Sequence, residues 1–277
     1  MPFLTALADW CREAVAPYGT PVTEWPGWQT RGRSGDSPYS TGRPWCVMYH
    51  HTASSDQSLE DYHAEQSDNA PVCNLDIKSS GEVVVIAAGP TNTNGKGSGT
   101  RTTSKGTIGV DEMNSYALGI EFYNNGIGGA WPQIQIDVGF AVIVNVQRHL
   151  GLAPSDLFTH EGYAPDRKVD PATAGAVQGP WRPRSCTSSG TWNDDDLRTE
   201  CAARALAPIP EEDDLTEEQA RQLQLVYESL TKPYDGPIPD PYGKPLNMQW
   251  ATAYAYVQTT DILKRLSAIE EQLGGTR

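Results

Sequence analysis

The placement of histidine is the first chemical signal in this sequence, because the chain of 277 residues contains only five histidines. His50 and His51 end an apolar run that is typical of a strand, and His160 ends another. Neighbouring side chains on a strand point to opposite faces, so only one of His50 and His51 can serve a given site. One candidate ligand therefore comes from this pair, and His160 is a second.

The segment HEGYAPDRKVDP adds a carboxylate to these histidines. Its Gly162, Pro165 and Pro171 indicate a bent loop that can return Asp170 to the side of His160. Two histidines and one carboxylate form a zinc ligand set that leaves a fourth tetrahedral position open, as catalytic zinc sites do. The spacing alone also fits strand-end histidines on the surface or in a satisfied core, so it does not decide between these alternatives.

Two further residues favour chemistry near this set. Glu121 lies in the apolar run GIEFY, where an ionised carboxylate is costly without a cation or hydrogen bonds. In an internal strand, burial would raise its pKa and a nearby metal would oppose that rise, which suits a general base; in an edge strand, Glu121 would face water. Lys168 could place a cation beside a developing oxyanion, or it could be a solvated loop lysine.

The elements that must position these residues alternate between strands and helices, which predicts an α/β fold. The apolar run at 116–123 indicates a strand buried on both faces. Residues 89–109 are rich in Gly, Thr, Asn and Ser and predict a long loop, and loops of this length in compact domains are usually functional or disordered. Strands are expected at 45–51, at 116–123, at 157–160 and twice within 73–88 around a Ser-Ser-Gly turn, and helices at about 3–16, 57–68, 137–150 and 194–206.

Three separated segments resemble the signatures of the zinc-dependent N-acetylmuramoyl-L-alanine amidases that share the peptidoglycan-recognition-protein fold. These segments are VMYHHTAS, GIEFYNNG and HEGYAPDRKVDP. Others, including CNLDIKSSGEVVVIAAGPTNTNGKG, WPQIQID and TWNDDDLR, resemble the amidase domain of lysin A endolysins from phages of mycobacteria and related actinobacteria. The resemblance covers about residues 20–206. It implies a central mixed β-sheet flanked by helices.

The resemblance also implies roles for individual residues. His50, His160 and Asp170 would bind Zn²⁺, Glu121 would be the catalytic acid and base, and Lys168 would assist at the oxyanion. The implied reaction is hydrolysis of the amide between N-acetylmuramic acid and L-alanine in bacterial peptidoglycan.

Other positions depart from the family or follow it less closely. Some members carry a catalytic tyrosine where this chain has Cys73 or Asn74, so no tyrosine role is transferred. Thr159 is expected to orient the ligand that follows it. A groove walled by residues 89–109 and 124–131 is expected to hold the glycopeptide, and the candidate substrate contacts are His51, Thr52, Asn92, Asn94, Asn124 and Trp131.

The expected protein is a bacteriolytic phage endolysin. The alternative is a non-catalytic or tail-associated peptidoglycan-binding module of the same fold, although the complete ligand set with Glu121 and Lys168 favours an enzyme. Cleavage of a different wall amide by the same zinc chemistry is a third alternative.

Composition limits the partners of this chain. A net charge of −14 disfavours binding to nucleic acid, which requires clustered Lys and Arg. The longest apolar run, 83–88, is too short to span a bilayer. The segment MPFLTALADW lacks the positive leader of a signal peptide, so we expect synthesis in the host cytoplasm and action on the wall after holin-assisted release. Five cysteines without a CxxC pair predict buried thiols.

Composition changes near residue 207. We expect an amidase domain at 1–206, a linker of proline and acidic residues at 207–214, and a helical region at 215–277. In the last helix, Ile262, Leu266, Ile269 and Leu273 recur at heptad spacing. This region is expected to form a homo-oligomer, to bind wall polymer, or to pack against the first domain.

Overall fold

The computed structural model describes residues 3–171, 178 and 192–205. The chain divides into two units, Met1–Ala207 and Pro208–Arg277, and all elements below belong to the first. The predicted linker at 207–214, the predicted helical region at 215–277 and Cys186 lie outside the described residues. They stay predictions.

A six-stranded mixed sheet forms the centre of the first unit. Its strands are β1 Val22–Glu24, β2 Cys46–His51, β3 Leu75–Ile77, β4 Val83–Val85, β7 Ala117–Phe122 and β8 Leu157–Thr159, and a separate hairpin contains β5 Arg101–Thr103 and β6 Gly106–Ile108. The strand order is β1-β4-β3-β7-β2-β8. Strands β3 and β4 are antiparallel, and every other neighbouring pair is parallel. This arrangement confirms the predicted α/β class and mixed sheet.

Helices cover the sheet. They are α1 Leu7–Val15, α2 Arg33–Asp36, α3 Gln133–Leu150, α4 His160–Tyr163 and α5 Asp194–Ala205, with a single π-helical turn at Tyr62–Gln66 and 3₁₀ turns at Ala16–Tyr18, Trp28–Thr30, Met113–Ser115 and Pro154–Asp156. No helix in these described ranges is long and apolar enough to cross a membrane.

Alternation along the strands separates two faces of the sheet. On β2, Val47 and Tyr49 join the main core with α1 and α3, whereas Cys46 and Met48 join a smaller core on the other side. Every residue of β2 and β7 is buried, as expected for strands covered on both faces. His50, the candidate metal ligand on β2, also lies on the face opposite α1 and α3.

Four elements differ from the sequence-based expectation. The predicted helix at 57–68 is reduced to the π-helical turn, and α3 begins at Gln133 instead of residue 137. The predicted loop at 89–109 contains the β5–β6 hairpin, whose turn is held by a hydrogen bond of 2.7 Å from the Ser104 amide to Asp156. The predicted strand at 157–160 ends at Thr159, and His160 begins a helix.

The predicted thiols are present in the described part of the chain. Cys11, Cys46, Cys73 and Cys201 are free and buried.

Helix α3 approaches the sheet closely because residue 139 has no side chain. A Cβ atom at Gly139 would lie 2.2 Å from Cε1 of Phe122. The Phe122 ring cannot easily give way, because it stacks on Tyr49 with the ring centroids 4.0 Å apart. Gly139 therefore sets the spacing between α3 and β7, the strand that contains Glu121.

We predict that Gly139→Ala lowers the free energy of unfolding by about 1–3 kcal/mol, because overpacking outweighs the better helix propensity of alanine. Urea denaturation measures this change. Ala141→Gly on the same helix provides the reference for a Gly/Ala exchange and should cost about 1 kcal/mol. A more stable Gly139→Ala protein would contradict the close approach.

Candidate metal centre

Three side chains from distant parts of the sequence converge at the carboxyl ends of β2 and β8. Nδ1 of His50 lies 2.8 Å from Nδ1 of His160. Oδ2 of Asp170 lies 3.1 Å from the His50 nitrogen and 3.0 Å from the His160 nitrogen. All three residues are buried. The structure therefore brings the three sequence-predicted ligands to one point.

The parallel sheet and a short loop position these side chains. His50 is the second-last residue of β2, and Tyr49 pairs with Thr159 of β8, so His160 follows beside His50. The backbone carbonyl of Asp170 accepts a hydrogen bond of 2.9 Å from the Glu161 amide. This bond closes the loop between α4 and Asp170 and returns the carboxylate to the histidines.

Thr159 fixes the start of α4, the helix that begins with His160. Its hydroxyl accepts a hydrogen bond of 2.9 Å from the Gly162 amide, which caps the helix that begins with His160. The same hydroxyl donates to Oδ1 of Asp194 at 2.8 Å, and the Thr159 amide donates to that oxygen at 2.7 Å. Asp194, the first residue of α5, thus holds the cap in place.

A backbone carbonyl determines which nitrogen of His160 carries hydrogen. Nε2 of His160 lies 3.0 Å from the carbonyl oxygen of Asn94. A carbonyl oxygen only accepts hydrogen bonds, so Nε2 must be the donor. In the neutral ring, Nδ1 of His160 therefore presents a lone pair towards His50 and Asp170.

Burial and charge favour the neutral imidazole of His50 and the ionised carboxylate of Asp170. Burial and the neighbouring His160 lower the pKa of His50 to about 4. Burial opposes ionisation of Asp170, but its close contacts with His160 and His50 outweigh burial and hold its pKa below the usual range. A hydrogen on Nδ1 of His50 can be shared by His160 and Asp170, but it leaves the 3.0 Å contact between those two atoms without a hydrogen, whereas a cation can bind all three.

The donor set fits zinc. Neutral imidazole nitrogens and a carboxylate oxygen are zinc ligands, whereas magnesium and calcium prefer oxygen alone. A zinc-bound histidine usually donates its other ring N–H to a group such as a backbone carbonyl, and His160 makes this kind of hydrogen bond.

Glu121 lies beside this centre on an internal strand. It pairs with His50 across β7 and β2, so the two side chains share one face of the sheet. It is 8% exposed, and its Oε2 has no hydrogen-bond partner among the described residues. Burial raises the pKa of Glu121 to about 8, with Asp170 also raising it and Lys168 lowering it. The alternative of an edge strand with Glu121 facing water is wrong.

Lys168 is partly exposed, and its charge acts on both His50 and Glu121. It therefore lies near this centre, and its role at an oxyanion stays a prediction.

The predicted substrate contacts divide into surface and buried residues. Thr52 and Asn92 are partly exposed. Trp131 has no exposed surface and packs against Trp192 with the ring centroids 4.7 Å apart, so the structure does not place it on a groove wall. The sequence could not show this, because aromatic residues are common both in cores and at binding surfaces.

His51 and Asn124 are also buried. Nδ1 of His51 accepts a hydrogen bond of 3.1 Å from the Ala53 amide, and its ring lies near Trp131, on the face away from His50. The Asn124 side chain bonds to the backbone at Gly126, Gly129 and Ala130 and so organises its own loop. Neither side chain is directed at the metal centre by these contacts.

Asn94 has a structural role that the sequence did not reveal. Its backbone carbonyl accepts from His160 and, at 2.9 Å, from Arg167. Its side-chain Oδ1 and Nδ2 are buried and have no hydrogen-bond partner among the described residues. A contact made by the main chain carries no residue-type signal, which is why only the side chain of Asn94 was a candidate.

The buried Glu121 predicts a pH-dependent stability difference in the metal-free protein. Because its folded pKa of about 8 lies above the ordinary value of 4.5, burial favours the protonated form, and this contribution is lost as the pH rises between those values. We expect the stability advantage of Glu121→Gln over the wild type to grow by about 3 kcal/mol from pH 5 to pH 7.5.

Urea denaturation in the presence of a chelator at both pH values measures this difference. Glu65→Gln removes a carboxylate that is 61% exposed and should show no comparable growth. A difference that stays constant with pH would show that Glu121 is not buried as described.

Solved structures with a similar fold were found, although no curated protein matches this chain in sequence. AmiD from E. coli, in complex with anhydro-N-acetylmuramic acid-L-Ala-D-gamma-Glu-L-Lys, is 14% identical with a TM-score of 0.43 over 79% of this chain and 82% of that chain. The endolysin amidase LysCS from Clostridium intestinale is 16% identical with a TM-score of 0.38 over 56% and 88%. Drosophila peptidoglycan recognition protein SD is 15% identical with a TM-score of 0.37 over 53% and 86%.

A family model provides the sequence-level match. The model described as N-acetylmuramoyl-L-alanine amidase matches residues 40–173. This segment contains the three converging ligands, Glu121 and Lys168.

Proposed function

We propose that this chain is a zinc-dependent N-acetylmuramoyl-L-alanine amidase of a phage, which acts as an endolysin on bacterial peptidoglycan. The observation that carries the proposal is the convergence of His50, His160 and Asp170 beside the buried Glu121. The match of residues 40–173 to the amidase family supports the substrate class. The proposed bond is the amide between N-acetylmuramic acid and L-alanine.

The ligand residues prepare the site before substrate arrives. His50, His160 and Asp170 would hold a zinc ion, which would supply a Lewis acid to polarise the scissile carbonyl and to lower the pKa of a water molecule. The Asn94 carbonyl fixes the His160 ring, and the Thr159 cap fixes its backbone. Because these contacts are already formed, little reorganisation is required during the reaction.

Glu121 is placed to move the protons. Its burial favours the protonated acid, while the nearby His63 and Lys168 favour the carboxylate, so both forms are accessible near neutral pH. As a carboxylate it takes a proton from the attacking water, and as an acid it returns the proton to the leaving nitrogen of L-alanine. Its unpartnered Oε2 is free to make these contacts.

Lys168 contributes a positive charge on the same side. Its ammonium group would stabilise the oxyanion that forms when water adds to the carbonyl. Its partial exposure allows the side chain to reach a substrate lying over the site.

We predict that the purified protein releases L-alanine N-termini and muramic-acid carboxylates from actinobacterial peptidoglycan. Glu121→Gln should lower kcat at least about 100-fold while one zinc per chain is retained, because it removes the proton carrier alone. His160→Ala should lose both zinc and activity. Mass spectrometry of the digested wall and metal analysis measure these outcomes.

A matched control is His149→Ala, since His149 lies on α3 and pairs with Glu13 at 2.8 Å, outside this site. Its activity should equal that of the wild type. Unchanged cutting by Glu121→Gln, or cutting of a bond other than the muramic acid–alanine amide, would contradict the proposal.

Lys168→Ala is expected to lower kcat by about 10²–10³-fold with zinc content unchanged, because a charge at the oxyanion acts mainly in the transition state. Lys168→Arg keeps the charge and should recover part of that loss. Steady-state kinetics on a soluble muramyl peptide measure both variants. Equal activity of Lys168→Ala and the wild type would remove this role.

A further inference from the structure

A second buried polar cluster lies on the same face of the sheet as the candidate metal centre. Its hub is Asp76 on β3, which has no exposed surface. Oδ1 of Asp76 lies 2.7 Å from Nδ1 of His63 and 3.2 Å from Sγ of Cys73. Oδ2 of Asp76 accepts a hydrogen bond of 3.2 Å from the hydroxyl of Tyr123.

Protons alone satisfy this cluster, in contrast to the metal centre. His63, Cys73 and Tyr123 each offer a hydrogen, and Asp76 accepts all three. Burial and the neighbouring Asp76 hold the pKa of the Cys73 thiol well above its usual value, so the sulfur keeps its hydrogen. At the metal centre, by comparison, His160 has no hydrogen to offer on Nδ1. These contacts make the second cluster a hydrogen-bonded network.

The network adjoins Glu121. Asp76 pairs with Glu121 across the parallel strands β3 and β7, and Glu121 pairs with His50 across β7 and β2. Registered neighbours on adjacent strands have side chains on the same face about 5 Å apart. Two buried carboxylates therefore lie side by side, an arrangement in which they repel each other unless a positive charge compensates.

His63 supplies that charge. Burial alone would lower its pKa, but the hydrogen bond and charge of Asp76 raise it above the usual value, which favours the imidazolium form. Glu121 and Glu60 add to the same attraction. Lys78 contacts Glu60, so that carboxylate is already paired. The His63–Asp76 pair is then neutral as a whole, and Glu121 has no uncompensated negative neighbour in this network.

We infer that His63 is a positioning residue for the proposed amidase reaction: it neutralises Asp76 and so keeps the Glu121 carboxylate in place beside the metal centre. The inference rests on the proposed function, but it concerns residues that no part of that proposal uses. Without His63, the charge of Asp76 would act directly on Glu121 and push its carboxylate away from the position where it meets the water.

The network also predicts which substitution is worse. His63→Gln leaves Asp76 charged and uncompensated, whereas Asp76→Asn removes the negative charge itself. If the network only supports the fold, Asp76→Asn should be the more harmful change, because Asp76 accepts three hydrogen bonds and His63 donates one to it. If charge compensation is the role, the order is reversed.

The test compares kcat and KM of His63→Gln, Asp76→Asn and the double variant on a soluble muramyl peptide. We expect His63→Gln to lower kcat about 10-fold with KM within about twofold, as a like-charge interaction at this separation allows. Asp76→Asn should stay within about threefold of the wild type. Adding Asp76→Asn to His63→Gln should restore kcat to that range. Every variant should retain one zinc per chain.

Three results would overturn the inference: an Asp76→Asn protein at least 10-fold less active than the wild type, a double variant no better than His63→Gln, or an unimpaired His63→Gln. If His63→Gln does not fold, the activity of Asp76→Asn still decides. His149→Gln, which alters a histidine–carboxylate pair outside the network, should match the wild type. An inactive wild-type protein would refute the proposed function, whereas an active wild type with the wrong order of variants would refute this inference alone.

Discussion

Electron pairs that point at one another repel, and the architecture of this site depends on how that repulsion is relieved. In the neutral His160 ring, Nε2 donates its hydrogen to a backbone carbonyl, so the unprotonated Nδ1 faces the neighbouring groups. His50 and Asp170 meet it within about one hydrogen-bond length. A cation can bind all three at once. The cap at Thr159 and the loop closed by Glu161 hold these three groups close together. The fold therefore favours the binding of a cation between them.

The register of the parallel strands places further polar side chains in one row across the sheet. Asp76, Glu121 and His50 occupy matching positions on three adjacent strands, and His160 follows the fourth. The residue that precedes each of these side chains on its strand is in most cases apolar, and it is buried in the core. The carboxyl ends of parallel strands are the usual location of sites in α/β proteins. Here the row combines the candidate metal ligand His50, the buried Glu121 and the hydrogen-bonded pair of His63 and Asp76.

Residue types and alternation revealed part of this arrangement from the sequence. The rule that neighbouring strand residues face opposite ways limited His50 and His51 to one ligand, and a glutamate in the apolar run at 116–123 indicated burial at Glu121. The carbonyl of Asn94 could not be found, because a main-chain atom is the same in every residue. Asp194 could not be found either, since an acidic residue in a first helical turn is ordinary. Trp131 was misplaced because ring size does not distinguish core from surface.

The hydrogen bonds between Thr159 and Asp194 determine how much of the chain is needed to hold His160 in place. The segment that resembles the amidase family stops at residue 173, some twenty positions before this aspartate. A fragment trimmed to that segment would keep every ligand yet lose the anchor beneath one of them. Binding of the proposed metal would thereby be coupled to the docking of α5, and the smallest competent piece of this chain would be set by one carboxylate outside the ligand set.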